Sequence, residues 1–303
     1  MGTHATIPTM TTGDCPLVTL VVISFNQERY IQHAVEAAFA QTYSPLLIVF
    51  SDDASRDDTY GIIERMCAAY RGAHTVRHYR NPSNLGLARH VNRVNELGEG
   101  ELIVLAAGDD ISLPHRVERL VDCYLQSGRR AHYLCSPVRA MTEAGELQGV
   151  YQSPGNSCRR NLLAAGLSAY PLSIGASEAW TVALARRFPP LPTSVWAEDQ
   201  VFGFRGLLMG PIGYVDEPLV HYRSGSGITN RKRVFRLDRY LRSQLNGLAV
   251  YHQRARDAVR AGHPLLGGII ILKLVLLALL LPISPLLSVL RRWRPLRPIT
   301  QFL

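Results

Sequence analysis

Three polar clusters stand directly behind short apolar runs: Ser24-Phe25-Asn26, Asp52-Asp53 and Gly108-Asp109-Asp110. Carboxylates at strand ends can hold a hard cation, which completes its shell with water and substrate phosphates. Asp109 and Asp110 are placed for that. Asp52 or Asp53 can accept hydrogen bonds from a base or a ribose. The plain alternative is helix capping, for which Asp is a favoured residue. Asp57, just ahead of Thr59, is read as such a cap. Asp109 is read as functional, because an Asp pair before a proline-led helix exceeds what capping needs.

These residues need a scaffold that brings strand ends together. Leu17 to Ser24 and Leu46 to Ser51 are β-branched and apolar, as buried strands are. Glu101 to Ala107 is a third such run, and His74 to Tyr79 a weaker one. Helical spacing fills the gaps over Glu28 to Gln41, the stretch after Asp58, Leu85 to Leu97, and Arg116 to Gln126, with Pro114 at N1. Strands alternating with helices at this pitch predict βαβ units and a largely parallel sheet. Ligands of such sheets bind beyond the carboxyl ends of the strands. Further on, His132 to Val138 and Trp180 to Ala185 read as strands. Cys158 to Leu167 and Glu198 to Met209 read as helices, and Ile212 to Tyr222 as extended and broken at Pro218.

Of 303 residues, 47% are hydrophobic and 19% charged, which excludes a disordered chain, a collagen-like repeat and a polytopic membrane protein. The formal charge of +9 admits nucleic acid or an anionic membrane as partner. From His221 onward there are fifteen Lys and Arg against two acids, and before it eighteen against twenty-two. The body is mildly acidic and the tail strongly basic, so nucleic acid is not expected. Five scattered cysteines imply no disulfide framework, and Met1 to Pro16 lacks the pattern of a signal peptide. Both favour a reducing, cytosolic body.

The order Ser24-Phe25-Asn26-Gln27-Glu28-Arg29-Tyr30, then Asp52 to Thr59, then Asn84-Leu85-Gly86 with Ala88-Arg89, then Gly108-Asp109-Asp110 with Pro114, then Glu198-Asp199, resembles family 2 glycosyltransferases. The resemblance covers roughly Val18 to Arg223. It implies the GT-A fold, a nucleoside-diphosphate sugar as donor, a divalent metal (Mg2+ or Mn2+), an acceptor hydroxyl and inversion at the anomeric carbon. Ser24 and Phe25 match the first donor-binding motif, with Phe25 stacking on the base or else packing in the core. Asp53 matches the acid that bonds the base, and Arg89 a basic residue near the nucleotide. Asp109 matches the last Asp of the metal-holding DXD motif. Ala107 occupies the place of the first Asp, and Asp110 is the residue that compensates. Asp199 matches the catalytic base, which takes the proton of the attacking hydroxyl; Glu198 is read as an acid of a helix's first turn. His221 is either a third metal ligand or a surface residue. Ser224 to Gly227 either closes over the diphosphate or is a linker. Trp180 and Trp196 either face a sugar or pack in the core.

The resemblance and the charge divide the chain into a disordered start (residues 1–16), a GT-A domain (17–228), a basic helical segment (229–264) and an apolar end (265–303). Leu265 to Leu290 is long enough to span a bilayer, but Lys273, Pro282 and Pro285 argue for a re-entrant or interfacial anchor. A single span and a buried hairpin are the alternatives. Arg254, Arg256, Arg260 and Arg291 to Arg297 flank the segment; the basic helix Arg231 to Arg260 is expected against anionic lipid, with the catalytic body on the cytoplasmic face of a bacterial inner membrane. The acceptor is then a lipid-linked glycan or surface polysaccharide. Two other classes compete: a nucleotidyltransferase, whose glycine-rich phosphate loop Ser24 to Tyr30 lacks, and a non-catalytic binder, which leaves the acidic clusters without a role.

Overall fold

The apolar runs become the middle of a seven-stranded sheet in the computed structural model, which describes residues 15–195, 197–224 and 237–280. β1 (Val18–Ser24), β2 (Leu46–Asp52), β3 (Thr75–Arg80) and β4 (Leu102–Ala107) alternate with α1 (Ile31–Phe39), α2 (Thr59–Ala69) and α3 (Leu87–Leu97). The short β5 (Ile111–Ser112) leads into α4 (Arg116–Gln126). Next come β6 (Tyr133–Cys135), β7 (Val138–Met141), β8 (Leu147–Tyr151) and α5 (Leu162–Leu167). They are followed by β9 (Ala179–Thr181), α6 (Val182–Arg187), α7 (Glu198–Met209), β10 (Ile212–Tyr214) and β11 (Val220–Arg223). The described chain closes with α8 (Leu237–Arg260) and α9 (Pro264–Leu280).

The large sheet runs β10-β6-β9-β4-β1-β2-β3. β4, β1, β2 and β3 are parallel neighbours, and β9 is antiparallel to both β4 and β6. Helices cover both faces, which is why β1 and β2 need apolar side chains in both directions. Leu20, Val22, Ile48 and Phe50 pack with Val35 of α1 and Leu120 of α4. Val21, Val49 and Leu105 turn the other way, onto Val91 of α3 and Phe202 of α7. Trp180 is fully buried in that second core, and its Nε1 donates to Asn95 Oδ1 at 2.9 Å. It is a core residue, and no acceptor platform; Trp196 lies outside the described residues.

Three sequence expectations change. Val182 to Ala185 is the start of α6, since Thr181 Oγ1 accepts the Leu184 N–H and caps a helix there. Pro114 lies ahead of α4, which begins at Arg116. A second sheet, in the order β5-β11-β7-β8, was not legible in strands as short as two to five residues.

The basic helical stretch is part of the body. α8 buries Val250, Tyr251, Gln253, Arg254, Asp257 and Ala258, and Arg205 of α7 pairs with Asp257 at 2.8 Å. The turn into α9 is a Schellman motif: Gly262 at φ +91° donates to the Val259 carbonyl, and His263 to that of Ala258. α9 lays Ile270 against α5 and α7, while Leu265, Leu272 and Leu279 face outward. No helix among the described residues is long and apolar enough to cross a membrane. Pro282, Pro285 and the closing Arg cluster lie outside the described residues, as do residues 1–14, 225–236 and 281–303.

Candidate active site

The register places the polar clusters side by side. Ser24 stands opposite Asp52, and Ile23 opposite Ala107, so three loops leave the sheet at one edge. They are tied to one another. Asp52 accepts from Ser24 Oγ at 3.2 Å and from the Ser55 N–H at 2.9 Å; Asn26 N–H donates to Ser55 Oγ at 2.9 Å. Asp57 caps Thr59, as expected, through the Thr59 N–H at 3.1 Å. Gly108 crosses so close to Gln27 and Ile31 that a Cβ would lie 2.5 Å from Gln27 Oε1.

Above this edge opens a cavity of about 550 Å³. It is lined by Ser24, Phe25, Asp53, His90, Asp109 and Asp110 from the strand-end loops and α3, and by Ile174 to Ala176, Glu198 and Asp199 from the second half of the chain. Phe25 is 40% exposed at its mouth, which removes the core reading. Asp53 is buried and accepts from Asn81 Nδ2 (2.9 Å) and from the N–H groups of Leu85 (2.8 Å) and Gly86 (3.0 Å). It therefore fixes the loop before α3 and, of about four lone-pair sites, keeps one for a ligand.

Three expected residues are placed differently. Arg89 is exposed and is not among the residues that line the cavity; one position on, His90 is buried there, with Nε2 2.8 Å from Ser51 Oγ. Burial lowers the His90 pKa against the pull of Asp53 and Asp52. Asp110 binds the protein itself: its Oδ1 accepts the Arg223 N–H at 2.7 Å, and burial beside Asp109 holds its pKa well above the usual range. His221 alternates with the cavity-lining Tyr222 along β11 and does not line the cavity; burial and Arg139 lower its pKa.

A divalent metal is the group the family resemblance implies. No cluster of three ligating side chains exists among the described residues, so the protein offers no closed cage. Yet the described lining holds five carboxylates and no Lys or Arg. A diphosphate would meet only negative charge there. A cation shared between Asp109, water and the diphosphate fits that donor set, because Mg2+ commonly takes one or two carboxylates plus phosphates.

Asp199, which lines the same cavity as Asp109, stands in the first turn of α7. Burial pushes its pKa up to about 6, against the opposing pull of the Gln200 N–H and of Arg254. Beside it burial, then Asp199, raises Glu198; burial, Asp199 and Glu198 together hold Glu178 well above the carboxylate range. Glu178 is fully buried, accepts from Ser173 Oγ at 2.8 Å, and its Oε2 has no hydrogen-bond partner among the described residues. Arg116 braces the two parts of the lining, donating to the carbonyls of Leu105 (2.7 Å) and Ala176 (2.9 Å). Glu178, His90 and Arg116 escaped sequence reasoning, since each lies within an ordinary element with no local motif.

Residues 19–166 match the family model described as glycosyl transferase family 2. An uncharacterized protein of Mycobacterium tuberculosis is 29% identical over 210 residues, covering 68% of this chain and 58% of the relative. The chain thus spans less than two thirds of the length of the curated relatives it matches. Among solved structures, S. aureus TarS 1-349 in complex with UDP-GlcNAc superposes with TM-score 0.56 at 17% identity, covering 82% of this chain and 71% of that one. The mannosyltransferase PcManGT from Pyrobaculum calidifontis, in complex with GDP-Man and Mn2+, gives 0.56 at 17% identity, over 94% and 83%. At these identities the likeness is one of fold.

Proposed function

From the match of residues 19–166 to the glycosyl transferase family 2 model and the likeness in fold, we propose that the chain is a family 2 glycosyltransferase that moves a sugar from a nucleoside diphosphate to an acceptor hydroxyl with inversion. One observation carries the reading: a single cavity at the carboxyl edge of the sheet is lined by both Asp109 and Asp199. The nucleotide lies along Phe25 and Asp53, with the diphosphate toward Asp109. When bound there, Mg2+ or Mn2+ offsets the charge that develops on the departing diphosphate. Asp199 takes the proton of the acceptor hydroxyl as its oxygen attacks the anomeric carbon. A base with a pKa near 6 is ionised at neutral pH and close enough to it to accept a proton. No enzyme nucleophile is required. The outward leucines of α9 support seating on anionic lipid at the cytoplasmic face of a membrane, and hence a lipid-linked acceptor.

The test is a screen of nucleotide sugars for thermal stabilisation with Mg2+ or Mn2+, followed by transfer assays on the hits. Asp199→Asn should bind the donor as the native protein does and lose transfer by about 100-fold or more. Undiminished turnover in that variant would overturn the assignment of the base.

A further inference from the structure

Arg254 is 1% exposed on α8, a helix that lines no part of the cavity. Its Nε donates to the Gln200 carbonyl at 2.9 Å, one residue after Asp199, and its Nη1 to the Ser168 carbonyl at 2.7 Å. The guanidinium thus grips the first turn of α7 from behind and ties it to the end of α5. Tyr251 Oη donates to the neighbouring Leu167 carbonyl at 3.2 Å, and Lys273 of α9 donates to the same oxygen. α8 and α9 therefore send three polar side chains to the one segment that backs the base.

We propose that Arg254 is a positioning residue for Asp199: its two-carbonyl clamp fixes the first turn of α7, which carries the Asp199 carboxyl. The inference rests on the reading of Asp199 as the base. Asp199 is faced by Glu198 on its own helix, by Glu178 ahead of β9 and by Arg254 on α8. Both glutamates are held above Asp199 in pKa and are neutral where it titrates, so Arg254 is the charged side chain that favours its ionisation among these neighbours. Arg254 itself faces Tyr251, Asp199 and Cys158. A lysine cannot replace it, since one ammonium on a flexible stem does not span two carbonyls as the planar fork does.

Two variants of the full chain separate the parts. Arg254→Lys keeps the charge and loses the fork: kcat should fall several-fold on the pH plateau while donor affinity stays within about twofold. Arg254→Gln loses the charge: the acid limb of the kcat profile should move up by roughly one unit. The titration of the Asp199 carboxyl by 13C NMR should move with it, and this readout needs no turnover. A lysine variant with native kcat, or an unmoved Asp199 titration in the glutamine variant, overturns the proposal. Should Arg254→Gln fail to fold, the plateau kcat of Arg254→Lys decides alone. Transfer surviving in Asp199→Asn would instead fail the base assignment, and the NMR shift would still report on the arginine.

Discussion

At the residue scale, the acidic pairs divide between chemistry and support. Asp109 and Asp199 both line the cavity, while Asp110 there also gives one oxygen to the Arg223 N–H. Asp109→Ala should abolish the gain in donor affinity on adding Mg2+ or Mn2+, read by calorimetry with and without the cation; an unchanged gain would place the cation elsewhere. Glu178 and Glu198 have folded-state pKa values raised by burial, Glu198 to about 8. The folded protein therefore keeps protons that the unfolded chain has released above the ordinary carboxylate range. The two groups' contribution to stability is then fully present below the unfolded pKa of 4.5 and is lost as the pH rises, for Glu198 until it ionises near pH 8. Glu178→Gln should shrink the drop in Tm between about pH 5 and about pH 8. Parallel curves for variant and native protein would count against this.

Among the elements, the hairpin of α8 and α9 departs most from expectation. Its basic residues suggested a helix laid on lipid, yet Arg254 is buried behind the base and Arg205 of α7 meets Asp257 with both side chains almost fully enclosed. A hydrophobic and basic periodicity shows that a helix has two faces, and it does not show which neighbour covers either. Breaking a buried pair leaves one charge without compensation, at a cost of about 3–5 kcal/mol. Asp257→Ala should lower unfolding stability by that order in denaturant titration, and the double variant Asp257→Ala, Arg205→Met should recover much of it. If the double variant is no more stable than the single, the lost free energy comes from packing rather than charge.

Across the whole molecule, the outward side of α9 carries Leu265, Leu272, Leu276 and Leu279, each more than half exposed, while Ile270 anchors the opposite side. Leu272→Glu with Leu276→Glu should release the protein from vesicles containing anionic lipid in a flotation assay and leave donor binding intact. Equal flotation of the variant would remove α9 as the membrane contact. The parallel sheet, the alternation with helices and the strand-end acids were legible in the sequence, because each is written in a run of adjacent residues. So were Asp57 as a cap and the span of α7. The short strands β5, β7 and β8 were not, since two to five residues carry too little periodicity to separate strand from loop, whereas β6 falls within the strand read over His132 to Val138. Nor were Glu178, His90, Arg116 and Arg254. Local order fixes which residues stand at a strand's end, and the sequence alone therefore determined the edge at which the cavity opens. Whether a carboxylate there is free for a ligand or held by a distant arginine depends on contacts between residues a hundred positions apart, as between Asp110 and Arg223. Only the tertiary structure decided that.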